Sequence, residues 1–193
     1  MKHKIFQTEN GFTLIELMIA ISMSIVVLTF AVPSFSSFIK NGRVTTYTNA
    51  LVTDVNYARQ EAVTRGEKVI LCRSANPTAA SPTCGGNTNN WSSGWLVFVN
   101  TDANTDYDAG TDTLLRATDE VAGSITVKTN NVSNTDLVYN ADGTIDMSGG
   151  TAVFAVCDNR GEDKGNQLQV SPTGRPRLIS PIPNTSSCAS PAA

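Results

Sequence analysis

Between Phe12 and Val32 the chain carries an almost unbroken apolar run whose one charged residue is Glu16. As a helix rising about 1.5 Å per residue, those positions would extend roughly 31 Å, close to the hydrocarbon thickness of a bilayer. A carboxylate in such a setting is costly and is normally retained for a function. The run follows a short basic leader (Lys2, His3, Lys4) that ends at Gly11. A secretory signal carries its small-residue cleavage site after its apolar core. Here the break point stands before that core, so cleavage after Gly11 leaves the hydrophobic helix on the mature protein. The order of parts predicts a retained membrane anchor.

The stretch Gly11-Phe12-Thr13-Leu14-Ile15-Glu16-Leu17, behind its charged leader, resembles the class III signal of type IV pilins and type II secretion pseudopilins. The resemblance implies that a prepilin peptidase cuts between Gly11 and Phe12 and methylates the new amine of Phe12. It implies an assembly role for Glu16, and Pro33 matches the family's helix-kinking proline at the end of the membrane span. It also implies other pilins as partners through the N-terminal helix. The expected location is the inner membrane, crossed once with a periplasmic head, and afterwards a pilus or pseudopilus.

A chain of 193 residues is long enough for one domain plus an extended helix, not for two full cores. Its 14 basic and 17 acidic residues include Lys2, Lys4 and Glu9 of the leader, so the mature chain carries a net charge of −4. A globally acidic protein is not a generic nucleic-acid binder, and any such role must be local. Four cysteines, Cys72, Cys84, Cys157 and Cys188, follow the membrane-targeting segment. In an oxidising compartment they read as two disulfides. Three pairings are open, and proximity in sequence favours Cys72–Cys84 with Cys157–Cys188. A metal site is disfavoured, because CxxC pairs are missing and His3, the single histidine, lies in the leader. The same absence removes Ser-His-Asp and Cys-His nucleophile systems, and neither an HExxH nor a P-loop pattern occurs. No enzymatic activity and no cofactor are expected.

From Pro33 to Arg65 the apolar residues Phe35, Phe38, Ile39, Val44, Tyr47, Leu51, Val55, Ala58, Ala62 and Val63 recur in helical steps. That face should be buried, with Asp54, Arg59, Gln60 and Glu61 pointing away from it. Glu61 and Arg65 make an i,i+4 pair, Gly66 is placed to cap the helix, and Pro33 should bend it. After Gly66 short β-type runs alternate with turn residues. The expected strands are 68–73, 94–100, 113–118, 124–130, 137–140, 144–147, 151–157, 167–171 and 177–180. The run Trp95-Leu96-Val97-Phe98-Val99 alternates poorly and should be buried on both faces, with Trp91 and Trp95 in packing roles. The loop 74–90 needs Cys72–Cys84 to close it, a closure worth roughly 3 kcal/mol in the chain-entropy model.

The layout is therefore α+β: leader 1–11, transmembrane or filament-core helix 12–32, amphipathic helix 33–66, and a β-rich head 67–193 of antiparallel sheet packed on the helix. It resembles the GspH/FimT branch of minor pilins and pseudopilins. The residues carrying that likeness are Tyr57-Ala58-Arg59-Gln60-Glu61-Ala62, Gly94-Trp95-Leu96-Val97-Phe98 and the Gly174-Arg175 turn.

Two polar stretches remain. Oxygens alternate through Asp102, Asn104, Asp106, Asp108 and Asp112, as in a Ca²⁺ loop, but Gly110 comes late and no bidentate Glu follows. A solvated acidic loop is the preferred reading there. Residues 165–193 contain no acid and two arginines, in Pro172-Thr173-Gly174-Arg175-Pro176-Arg177. Gly174 permits a tight turn, Pro176 stiffens the chain, and guanidinium forks suit phosphate. Gly174, Arg175 and Arg177 resemble the DNA-contacting motif of FimT-type minor pilins, which implies double-stranded DNA as a partner in natural transformation. The bland alternative is a hairpin turn with exposed arginines. The functional expectation is a type IV minor pilin in or at the tip of a pilus, the alternative being a GspH-like pseudopilin of the type II export system.

Overall fold

The computed structural model describes residues 11–86, 89–102, 104–130, 136–146 and 150–192. The expected leader, apart from Gly11, lies outside the described residues, as do Met147 and Ala103. The chain divides into two compact units between Lys40 and Asn41. One helix, α1 (Leu14–Arg65), supplies residues to both.

In the first unit Thr13 opens the helix. Its Oγ1 accepts from the Glu16 amide at 3.3 Å and its carbonyl accepts from Leu17 at 3.1 Å, so Thr13 and Glu16 occupy the N-cap and N3 positions of a Thr-x-x-Glu start. Hydroxyls within the apolar run are satisfied inside the helix: Ser22 donates to Met18 O, Ser24 to Ala20 O and Thr29 to Val26 O. The helix continues through Pro33, which cannot donate to the Thr29 carbonyl. Its apolar side chains are exposed, and by length and composition α1 can cross a membrane. Phe35, Phe38 and Ile39, expected on the buried face, are exposed as well. They precede the boundary at Lys40, and the buried stripe of α1 starts at Val44.

The second unit is a head built on the rest of α1. Val44, Thr48, Leu51, Val55, Ala58 and Ala62 are buried, and Gly66 closes the helix at φ +69° with its amide on the Ala62 carbonyl at 2.9 Å. The chain then enters β1 (Lys68–Arg73), β2 (Trp95–Asn100), β3 (Thr113–Thr118), β4 (Thr126–Thr129), β5 (Leu137–Tyr139), β6 (Ala152–Cys157), β7 (Asn166–Val170) and β8 (Pro176–Ile179). They form two antiparallel sheets, ordered β3-β2-β1-β5 and β4-β6-β7-β8. The expected strand at 144–147 reduces to one bridge, Ile145 opposite Tyr139, because a tight turn through Gly143 returns the chain directly beside β5.

The inner faces of both sheets close on the helix. Trp91, Trp95, Val97, Leu137, Tyr139, Phe154 and Leu168 share one core with Leu51, Val55 and Ala58. Trp91 meets Phe154 edge-on at 5.0 Å between ring centroids. The central strands β2 and β6 are buried on both faces because each sheet is also covered outside. Over the first sheet, Ile70, Cys72, Leu96 and Phe98 lie under Cys84 and Tyr107. Over the second, Ala155 and Cys157 lie under Ile182 and Cys188 of the C-terminal tail. Each cover is stapled where it sits: Cys72 bonds Cys84 and Cys157 bonds Cys188.

Two charged residues of α1 depart from the expected outward face. Asp54 is buried, and Arg59 is half-buried with its Nε on the Gly143 carbonyl at 3.1 Å. Gln60 is exposed, and Arg65 Nε donates to Glu61 at 2.6 Å. The reason for Asp54 is chemical: a buried indole and two donors of the edge strand β3 share its carboxylate. Trp95 Nε1, Thr118 Oγ1 and Arg116 Nη1 all donate to it.

Candidate functional site

The arginines sit on the hairpin that joins β7 to β8. Gly174 takes φ +74°, which lets its amide reach the Ser171 carbonyl at 2.8 Å while Ser171 N donates to Arg175 O at 3.2 Å. Pro176 begins β8, the edge strand of its sheet, where a missing amide is tolerated. Arg175 and Arg177 are both exposed.

This turn does not hang free. Ile145 N donates to Pro172 O at 2.9 Å, and Tyr139 Oη donates to Gly174 O at 3.4 Å. Burial pushes the Tyr139 phenol far above its ordinary range, which keeps it a neutral donor. A Cβ on Gly174 would run into the Gly143 carbonyl, and one on Gly143 would press on Val63. Arg59 binds the Gly143 carbonyl, so the turns at 143 and 174 are clamped to each other and to α1. The β7–β8 turn is thus a rigid platform for its guanidiniums.

Residue 177 stands opposite Gln169, while Pro176 and Leu178 alternate onto the helix-facing side, Leu178 opposite Leu168. Arg175 lines a cleft of about 440 Å³ between α1 and β8, together with Arg59, Asn49 and Asn56. Arg160, near in sequence, is committed elsewhere: Asp158 holds its guanidinium at 2.6 Å.

Arg59, Tyr139 and Gly143 were not singled out as parts of this site. Signals existed in the Asp142-Gly143 turn dipeptide and in the Arg59 of the Tyr57–Ala62 stretch. What joins them is tertiary packing, across 84 positions between Arg59 and Gly143 and 35 between Tyr139 and Gly174, which periodicity does not report.

The other expected sites are placed as follows. Gly11 and Phe12 are exposed ahead of the Thr13 cap, Glu16 stands in the first helical turn, and Pro33 lies inside α1. In the acidic loop, Asp112 accepts the amides of Thr101 and Asp108 at 3.0 Å each, and Asn104 Nδ2 bridges Asp102 and Asp108. Its oxygens serve the loop itself, and among the described residues no three His, Cys, Asp or Glu side chains are grouped to hold a metal ion.

A helix opening in an N-terminal apolar segment and ending against antiparallel sheets defines a pilin-like subunit. Two family models match the chain: the prokaryotic N-terminal methylation motif over residues 7–32, and the type II transport protein GspH over residues 47–174. The chain belongs to the GspH family and carries the methylation motif of pilins, which are structural rather than enzymatic proteins. The fold is that of the type IV minor pilin FimU of Pseudomonas aeruginosa (strain PAO1). One crystal form aligns at 23% identity with a TM-score of 0.56, covering 78% of this chain and 98% of that one. A second aligns at 23% and 0.53, covering 75% and 98%. No curated protein matches the chain.

Proposed function

We propose that the protein is a type IV minor pilin that holds DNA for uptake in natural transformation. It enters the inner membrane as a single-span precursor with a periplasmic head. Prepilin peptidase then cuts between Gly11 and Phe12 and methylates Phe12. The apolar half of α1 packs among the helices of other pilins, in or at the tip of a pilus, with Glu16 neutralising the amine of a neighbouring subunit and Pro33 easing the helix into the filament. The head presents Gly174, Arg175 and Arg177 to double-stranded DNA. The observation that carries the DNA reading is the clamped β7–β8 turn: two exposed arginines on a rigid support, within an otherwise acidic chain whose residues 165–192 contain no acid. The support of the turn lowers the ordering cost of each phosphate contact.

With few phosphates neutralised, affinity should be modest and should fall with salt at a slope of about 0.9 per contact in log–log form. Titration of labelled duplex with the mature chain in detergent micelles tests this. Salt-sensitive binding that disappears in Arg175→Gln/Arg177→Gln is the expected result. Equal binding by the double variant removes DNA from the reading and leaves a structural minor pilin.

The match to the GspH model favours a second reading, a pseudopilin of the type II export system. A deletion strain separates the two: lost DNA uptake or twitching marks the pilus, and lost protein export marks the pseudopilus.

A further inference from the structure

The cleft between α1 and β8 has a lining that neither the arginine motif nor the family explains. Its charged lining residues are Arg59 and Arg175, with no Asp or Glu among the lining residues, and Asn49 and Asn56 complete the polar side. Asn56 spends its Nδ2 on the Val52 carbonyl at 2.9 Å, which leaves its amide oxygen to offer. The apolar side is Val52, Leu168, Pro176 and Leu178. Leu178 is on the helix-facing side of β8 yet 48% exposed, at the edge of its sheet.

We infer that this cleft takes one unpaired nucleotide of a DNA strand, its phosphate between Arg59 and Arg175 and its base against Pro176 and Leu178. The inference rests on the DNA reading above and adds to it a preference for single-stranded or frayed DNA. The cleft's size lies at the lower end of the range for small-ligand sites. A duplex keeps its bases stacked and paired inside, so it reaches Arg175 and Arg177 through its outer phosphates but places no base in a recess of this size. An unpaired nucleotide brings phosphate, base edge and base face together. These are the three groups that two arginines, carboxamides and an apolar wall recognise. Arg177, on the other side of β8, then holds a neighbouring phosphate as the strand passes over the sheet edge.

The test compares an oligothymidylate of about 12 nucleotides with a blunt duplex of equal length, titrated against the mature chain in detergent micelles at one fixed salt concentration. The wild type should bind the single strand tighter by about fivefold, as expected when roughly 40 Å² of base face is buried against an aliphatic wall. Leu178→Ser and Asn49→Ala, both at exposed positions, should each bring the ratio of the two affinities toward one. A single strand carrying 5-iodouracil should crosslink to peptides containing Val52 or residues 176–178, a readout that needs no variant. A wild-type ratio near one, or crosslinks confined to other parts of the head, overturns the cleft while salt-sensitive duplex binding keeps the DNA reading. Failure of both nucleic acids to bind overturns both. Binding of an acidic pilin peptide that neither DNA displaces assigns the cleft to a protein partner and also overturns the inference.

Discussion

Trp95 Nε1 donates to Asp54 Oδ2 at 2.8 Å between two side chains that are both buried. The same carboxylate accepts from Thr118 Oγ1 at 2.9 Å and from Arg116 Nη1 at 2.6 Å, and the Arg116 guanidinium lies 4.6 Å over the Tyr57 ring. One carboxylate of α1 therefore ties down the core tryptophan of β2 and the edge strand β3, whose side chains are otherwise largely exposed.

Removing that carboxylate leaves an indole N–H buried without an acceptor and releases β3 from the helix. Asp54→Ala should cost about 1–3 kcal/mol, the range for leaving a buried donor without its acceptor, since the Arg116 side chain is 45% exposed and can be solvated. Asp54→Asn, which keeps an acceptor for Trp95 but loses the ion pair with Arg116, should cost less. Denaturant unfolding followed by Trp fluorescence measures both. Equal stability of Asp54→Ala and wild type would show that Asp54 does not hold the head together.

Asp136 should give the head a pH dependence. Burial pushes its carboxyl up to about 7, an effect that Arg73 at 3.8 Å only partly offsets and that Asp106 reinforces. The folded state thus keeps a proton that the unfolded chain releases near pH 4. Between about pH 4 and 7 the unfolded chain binds fewer protons, so stability falls as pH rises, by at most about 1.4 kcal/mol per pH unit, and levels off above 7. Asp136→Asn should flatten this part of the profile. Thermal melts of both proteins from pH 4 to 8 are the check, and parallel profiles would reject the assignment.

How much of this was legible depends on the range over which each signal acts. The strands β1 and β3 match their runs in the sequence residue for residue, because alternation and flanking turn residues are local. The methylation motif is also local, and so is the Gly66 cap. Asp54 was misplaced by treating charge as proof of exposure. Its position, three after Leu51 and four before Ala58, lies on the buried stripe, and a buried Trp in the same core needs an acceptor. Phe35 and Phe38 failed for the opposite reason: helical spacing shows which residues share a face, and it does not show how far the head extends along the helix. In the β7–β8 turn, Gly174 and both arginines could be read directly. The clamp through Arg59, Tyr139 and Gly143 could not, since it joins α1, β5 and two turns.

The C-terminal tail should depend on its disulfide. Cys157–Cys188 closes 31 positions of chain and holds Ile182 over β6, and near its end the Ala192 carbonyl accepts from buried Gln167 Nε2 at 2.6 Å. Replacing both cysteines by serine should cost about 3–4 kcal/mol by the chain-entropy model. Hydrogen exchange should rise in the tail and along β7 before the rest of the head. Unchanged exchange there would mean that packing of Ile182 alone keeps the tail in place.

The final prediction separates the arginines from their support. Gly174→Ala leaves Arg175 and Arg177 in the sequence but asks an L-residue to hold φ +74°, with its methyl directed at the Gly143 carbonyl and close to Tyr139 and Arg59. Backbone strain of this kind costs about 1–3 kcal/mol, and the displaced turn must also give up the bond from Tyr139 Oη. Since β8 is an edge strand paired only with β7, the distortion should stay within the hairpin and leave the helix and first sheet folded. DNA affinity should fall nearly as far as in Arg175→Gln/Arg177→Gln, while the far-ultraviolet circular dichroism spectrum remains that of wild type. Arg59→Lys probes the same clamp from the helix side, because lysine keeps the charge but loses the Nε donor that holds the Gly143 carbonyl. If both variants bind duplex as wild type does, charge alone suffices and the rigidity of the turn plays no part in capturing DNA.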